Sequence, residues 1–442
     1  QYSGVPVWST AAGTLGNVIE GAAASFQVTA TEGSDTIEYA VTTGTLPTGL
    51  SLATATGAIT GTAGSVSADT TTTFSITATD DENQTSASRS FSITVQNDAP
   101  SNHFAPYIYT GNGGTQSIAL NFSPGLTWIK SRTNAYDHNL YDIVRGADGQ
   151  GGGSDKVLSS NKANAQEQGD GDVTITSGGF TVVETTGSSS SSEVNLNGAN
   201  YVSWNFKAGG AAVANTDGDI NSQVSVNNTL GFSIVKHTGT GSTGTVGTGL
   251  SSTPELIIRK DLDATTDWWV YAPVSPYFGY LNNTDAFQAA NNAAYSYNQT
   301  VPTSTIFNVG NTYSGNVNSN NYISYCFTSK PGFSKVGSYT GTGAAGNNVV
   351  TGFEPAFIMG KSSTNTEDWF IIDNKRGSTK YLKPNTSAAE ATAGAGINFL
   401  ANGFQLTGGS FNNSGYTFIY LAFAADGSTA TPSLANSFAT KT

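Results

Sequence analysis

Apolar residues along this chain fall in short alternating runs separated by Gly, Asn, Ser and Thr, and β-branched residues are abundant. A period of two places successive side chains on opposite faces of an extended strand, so this pattern predicts strands with one buried face. Helical signals are almost absent, and the whole chain reads as all-β. In residues 1–98 the apolar positions are Phe26 and Val28, then Ile37, Tyr39 and Val41, then Phe74 and Ile76, and finally Phe91, Ile93 and Val95. Roughly seven short strands in about a hundred residues is the arithmetic of an Ig-like β-sandwich. The polar run QNDAPS, Gln96–Ser101, punctuated by Pro100, reads as a linker, with the connection spanning 99–104.

Beyond the linker the pattern repeats. PAFIMGKSSTNTEDWFIIDNKRG from Pro355 lies without a gap on PGLTWIKSRTNAYDHNLYDIVRG from Pro124. The two share Pro124/Pro355, Lys130/Lys361, Asp137/Asp368, Asp142/Asp373, Arg145/Arg376 and Gly146/Gly377. A third copy, PELIIRKDLDATTDWWVY from Pro254, keeps the proline, Lys260 and Asp267. Self-similarity of this kind implies one structural unit used three times in tandem. Each copy opens on an aromatic-or-His–Thr–Gly motif at Tyr109, His237 and Tyr339. Each then carries a Leu-x-x-Asn/Thr element (Leu158–Asn161, Leu281–Thr284, Leu382–Asn385) and closes on an aromatic strand, YVSWNF, YISYCF or YTFIYLAF. The expected boundaries are 105–213, 214–330 and 331–425, with a connector at 426–442. The first copy is longer through a Gly-rich insert after Gly146 and the serine run Ser188–Ser192, both read as loop insertions.

Counted from each proline, positions +2, +4 and +6 share one face of a strand. They hold Leu126, Trp128 and Lys130; Leu256, Ile258 and Lys260; and Phe357, Met359 and Lys361. The apolar pair is expected to point inward and the lysine to reach water at the strand's exit. DWFIID is apolar on both faces, as in a strand covered on both sides. Asp142 with Arg145, and Asp373 with Arg376, precede a glycine. In such a turn the carboxylate takes local N–H groups and the arginine folds back in a charge-assisted pair. A sugar- or anion-binding carboxylate–arginine site is the functional alternative, and the middle copy weakens it because Ala272 and Pro273 replace the motif.

Charge and composition narrow the function classes. The 442 residues contain only 11% charged side chains and carry a net charge of −13. No basic cluster is present, so phosphate tracking along nucleic acid is not expected. No apolar stretch reaches the roughly 18–20 residues of a membrane helix. The single cysteine, Cys326, sits in an apolar run and reads as a small buried hydrophobe. His103, His138 and His237 are isolated, without metal-ligand spacing. Asp80, Asp81 and Glu82 raise calcium as an alternative to a solvated hairpin tip, and no other cofactor is suggested. Glycoside hydrolysis needs paired carboxylates about 5–10 Å apart. The only acids common to all three copies, Asp137, Asp267 and Asp368, sit where turn capping explains them. No catalytic set is expected. Tyr277, Tyr280, Tyr295 and Tyr297 offer faces for stacking on glycans, against an ordinary packing role.

The LPTGLSL…TGAITGTA stretch resembles the Ig-type repeats of bacterial and phage surface proteins, related to cadherin-like modules. The set YTGNG…P-x-L/F…K…D-x-x-R-G…L-x-x-N…GF…YVSWNFKAGG resembles a domain of unknown function, often in tandem, in marine phage tail-fibre and other virion structural proteins. That resemblance implies three jelly-roll or lectin-like sandwiches in a virion surface protein contacting a host glycan or protein, other virion proteins and further copies of itself. Nucleic acid and membrane insertion are not expected. A bacterial adhesin or surface filament, and then a capsid decoration protein, are the alternatives. The sequence starts at Gln1 with no signal peptide, as expected either of a processed leader or of a piece of a longer chain, and its final NSFATKT resembles a connector into a further copy.

Overall fold

In the computed structural model the described residues are 4–31, 36–146, 156–168, 172–184, 192–274, 278–288, 300–311 and 315–426. The chain divides into two compact units, Gln1–Ala99 and Pro100–Thr442.

The first unit is a β-sandwich. One sheet orders Gly13–Ile19, Arg89–Gln96, Thr70–Asp80 and Ile37–Thr43, and the other orders Ala23–Gln27, Ala58–Thr62 and Leu50–Leu52. Gly13–Ile19 runs parallel to Arg89–Gln96, whereas the other pairings in both sheets are antiparallel. Alternation is obeyed: Val28, Tyr39, Phe74, Ile76, Phe91, Ile93 and Val95 form the core. The all-β, Ig-like reading of this unit holds.

The second unit contains three segments with one strand order. The first builds β1 (Phe104–Thr110), β2 (Leu126–Ser131), β3 (Asn139–Asp142) and β4 (Asn200–Phe206). The second builds β5 (Phe232–Thr238), β6 (Leu256–Asp261), β7 (Trp269–Tyr271) and β8 (Asn321–Phe327). The third builds β9 (Ser334–Thr340), β10 (Pro355–Ser362), β11 (Phe370–Asp373) and β12 (Thr417–Ala424). Their inner sheets read β1-β4-β2-β3, β5-β8-β6-β7 and β9-β12-β10-β11, all antiparallel. A smaller outer sheet faces each, for example Asn347–Val350, Gly403–Leu406 and Ile397–Leu400 in the third segment.

The inner strands are apolar on both faces because each face has its own core. On β4, Val202, Trp204 and Phe206 point into one core common to all three segments, while Tyr201 points into the first segment's own core. On β10, Phe357 and Met359 join the common core and Ile358 the third segment's own. On β6, Leu256 and Ile258 divide from Ile257 in the same way. The three sandwiches are therefore fused around shared packing, beyond what a string of separate modules would give. Six phenylalanines, Phe104, Phe206, Phe232, Phe327, Phe357 and Phe423, pack together in that core; Phe104 stacks on Phe423 at 4.5 Å between centroids.

Two expected connections differ. Pro100–Asn102 forms a 3-10 turn and Phe104 is buried against the third segment, so 99–104 is no free linker. The strand Val213–Asn215 straddles the 213/214 boundary and pairs with Ser222–Asn227 of the second segment's sheet. The Gly-rich insert beyond 146, the serines at 188–191 and the connector beyond 426 lie outside the described residues.

Candidate functional site

The Asp–Arg turns form a dense polar constellation in the second unit. Asp142 ends β3 fully buried. Its Oδ1 accepts the N–H groups of Val144 (3.0 Å) and Arg145 (2.9 Å), and its Oδ2 accepts Arg145 Nε. Arg145 spends its remaining donors on the carbonyls of Leu140 (2.8 Å) and Lys156 (2.9 Å) and on Gln166. Asp373 and Arg376 at the end of β11 repeat this, with Oδ1 accepting from Lys375 N and Arg376 N and Oδ2 from Arg376 Nε at 2.6 Å. The local turn chemistry expected from the spacing is present.

The second donor to each Oδ2 comes from another segment. Tyr325 of β8 donates its hydroxyl to Asp142 at 2.7 Å, and Trp204 of β4 donates its indole N–H to Asp373 at 2.9 Å. The Arg376 guanidinium also lies over the Trp204 ring, 5.3 Å from its centroid. The carboxylates are thus latches, second segment onto first and first onto third. Burial of such a pair is tolerable because both carboxylate oxygens and all three guanidinium nitrogens have partners.

The third latch explains the missing motif. Trp204, Tyr325 and Leu421 occupy one register position, opposite Trp128, Ile258 and Met359. Where Leu421 stands at the donor's position, Ala272 stands at the acceptor's, and both are buried in the common core. Donor and acceptor are lost together, so no polar group is stranded.

A second ring of contacts runs in the same direction. Fourteen residues after each proline stand His138, Trp268 and Trp369. The Trp268 indole donates to Ser159 O of the first segment (2.9 Å), and that of Trp369 to Tyr280 O of the second (2.8 Å). His138 accepts from Trp128 Nε1 at Nδ1 and, as the tautomer this requires, donates from Nε2 to Lys383 O of the third segment at 3.0 Å. Burial holds its pKa well below the ordinary imidazole value, and the Lys130 charge adds to the effect. Arg132 and Glu390 close the first and third segments with two 2.9 Å bonds.

The lysines correct the expectation of solvated ammonium groups. Lys130, Lys260 and Lys361 are fully buried. The chain curls past the strand exit and offers carbonyls instead of water: Ser131 and Asn134, Asp261 and Ala264, and Ser362, Asn365 and Thr284. Desolvation pushes all three down to about 8.

Asp137, Asp267 and Asp368 each accept the side-chain amide of an asparagine, Asn161, Asn282 and Asn385, at 2.7 Å. That asparagine's Oδ1 takes the N–H of the residue following the aspartate. In the middle segment the partner is Asn282 rather than the Thr284 that the Leu-x-x-Asn/Thr pattern singles out. Tyr280 supplies a carbonyl to Trp369, and its ring sits edge-on to Trp269, a packing position; Tyr277, Tyr295 and Tyr297 lie outside the described residues. Cys326 is buried. Asp80 Oδ1 accepts from Glu82 N and Gln84 N, the bonding of an Asx turn.

Sequence reasoning missed three buried asparagines, Asn195, Asn316 and Asn412, which cradle the opening Thr–Gly turns. Each takes the N–H of Asn112, Thr240 or Thr342 and donates to Gly114, Ser242 or Ala344. The turn glycine is required by approach: a Cβ on Gly111, Gly239 or Gly341 would meet a backbone oxygen at 2.1–2.3 Å. An Asn at a fixed distance before the closing strand is the signal that would have revealed them.

Among the described residues no group of three His, Cys, Asp or Glu is placed to hold a metal ion, and no helix is long and apolar enough to cross a membrane. A void of about 10 Å³ inside the common core is lined by apolar and aromatic side chains of all three segments, including Trp128, Tyr325 and Leu421. It is too small and too poorly supplied with polar partners to hold an ordered water.

Among solved structures the chain is similar to extracellular cadherin domains 3–6 of Protocadherin Gamma B2, at 12% identity over 91% of each chain and a TM-score of 0.18. It is also similar to the Protocadherin gammaB7 EC3-6 cis-dimer structure, at 11% identity over 96% of this chain and 100% of that one, with a TM-score of 0.20. Superpositions that loose carry no argument. No curated protein matches. Residues 7–96 match the family model described as "Putative Ig domain". Residues 99–426, the whole fused unit, match the model of the domain of unknown function DUF7483, and the chain belongs to that family.

Proposed function

We propose that this chain is a non-enzymatic structural and adhesive protein of a virion surface, a phage tail fibre or similar appendage whose fused β unit contacts a host glycan or protein. The observation that carries this reading is the fate of the two Asp–Arg pairs, the carboxylate–arginine site that the sequence offered. Asp142, Asp373, Arg145 and Arg376 are buried and saturated in inter-segment latches. Groups held this way cannot accept or release a proton to a substrate, whereas they do fix three sandwiches as a rigid display platform. The Ig-like unit and the low surface charge suit an exposed particle protein, and the sequence resemblance to tail-fibre proteins supplies the particle.

The test is location and activity together. Antibody labelling of purified particles should decorate an external appendage, and the purified chain should bind host cells without depolymerising a polysaccharide panel. Turnover abolished by an Asp-to-Asn change would overturn the reading. So would the absence of the chain from particles.

A further inference from the structure

A cleft of about 290 Å³ opens on the third segment, between the start of β11, the Lys380–Tyr381 hairpin and the loop before β12. Its walls combine the ring of Tyr381, the ring of Phe411 and the polar side chains of Asp368, Lys383, Thr392 and Asn413. Both rings are half-buried, so each keeps part of its surface open. They meet edge to face at 5.2 Å, and Phe411 is backed by Phe370 at 4.3 Å. The aromatic surface is therefore held in place before any ligand arrives.

Phe411 has a φ of 57°, in the left-handed region that a bulky side chain rarely occupies. Strain of this kind at a cleft persists where the surroundings over-determine it and is a mark of functional positions. Here the Phe411 carbonyl accepts the Tyr339 hydroxyl at 2.6 Å and the next residue is the buried Asn412. In the other segments the residue before the matching asparagine is Val194, fully buried, and Gly315. The third segment alone places an aromatic ring at this point.

The polar lining is of the kind that reads hydroxyl groups. Asp368 and Lys383 form an ion pair at 2.6 Å, and both side chains are about one-third exposed. Asn413, also in the lining, donates from Nδ2 to Glu367 Oε1 at 3.2 Å. The Tyr381 hydroxyl makes no hydrogen bond to any described residue. Glu367 adds a negative charge to the paired Asp368 and Lys383, which disfavours an anionic ligand.

We infer that this cleft binds a neutral saccharide, with one pyranose face stacked on one of the two rings, Tyr381 or Phe411, its edge against the other, and its hydroxyls bonded by the Asp368–Lys383 pair and Asn413. The inference rests on the adhesive reading above and gives that reading a receptor class.

The probes are tetrasaccharides of glucose, galactose and mannose in α and β linkage, titrated into the full chain and followed by saturation-transfer and chemical-shift NMR. At least one should bind, shifting resonances of Tyr381, Thr392 and Asn413. Tyr381→Ala and Phe411→Gly should each weaken it at least tenfold; Gly accepts the φ of position 411, so the second variant also tests whether the backbone alone suffices. The wild-type shift map needs no variant to fold. No binding by any tetrasaccharide, shifts that map elsewhere, or equal binding by both variants would overturn the inference. Host-cell binding by the same preparation separates the two readings: cell binding retained with a silent cleft removes the saccharide site alone, while loss of cell binding removes the adhesive reading as well.

Discussion

Two of the three latches in the fused unit are ionic and one is apolar. Asp142–Tyr325 and Asp373–Trp204 each set a buried carboxylate against a donor from the neighbouring segment, whereas the matching positions of the third are Ala272 and Leu421. One frame accepts both solutions, provided each is complete. Buried ion pairs are costly to break and often neutral to replace whole, and the segments of this chain display both halves of that rule side by side.

Breaking a latch from the acceptor side should have the largest effect. Asp373→Ala leaves the buried Arg376 with only the 3.4 Å contact to Glu390 in place of its close carboxylate and should cost about 3–5 kcal/mol, read by urea unfolding of the whole chain. Loss of under about 1 kcal/mol would show that the pair is not desolvated. Trp369→Ala opens a core cavity worth about 3–5 kcal/mol and removes the bond to Tyr280. Because Trp369 belongs to the common core, hydrogen exchange should accelerate across all three segments. Acceleration confined to the third would break the idea of shared packing.

Next in size, Tyr325→Phe deletes one bond to a buried carboxylate and should cost about 1.5–3 kcal/mol. The combined change Asp142→Ala, Arg145→Ser and Tyr325→Leu copies the third latch into the first. Its cost should fall below the sum of the separate changes by at least about 1 kcal/mol in a mutant cycle. Strict additivity would mean the positions are not coupled.

The last effect is read as a pH slope. Lys130, Lys260 and Lys361 sit near 8 when folded, below the ordinary lysine value of 10.5. The unfolded chain therefore binds more protons between these values, and stability should rise as pH climbs from about 8 toward 10. Above that, tyrosines whose folded pKa values are raised by burial, Tyr201 and Tyr322 among them, take stability away as the unfolded chain ionises. A melting temperature that falls from pH 8 to 9.5 would contradict the buried lysines.

Much of this was legible in the sequence. Period-two alternation located the Ig-like core, and the proline-anchored motif located the inner strands, down to which of Leu126, Thr127 and Trp128 share a face. The lysines were misread because strand parity says which way a stem points but not what caps its end. That cap is made by carbonyls several residues on, after the chain turns back. The Asp–Arg turns were legible as local chemistry. Their partners were not, since Tyr325 and Trp204 come from other segments and periodicity carries no information on how sheets associate. One trace was present: Ala272 replaces the aspartate in the middle copy and Leu421 replaces the aromatic donor in the third, a correlation visible only once the ring direction is known.

A threefold assembly of identical chains must repeat every surface three times. Here the three sandwiches are joined by peptide bonds, so a substitution alters one sector and leaves the others as they were. Phe411 is such a change, with Val194 and Gly315 in its place elsewhere. Covalent joining releases the outer loops from symmetry while the common core continues to enforce it, and one molecule can then carry three different faces at fixed angles.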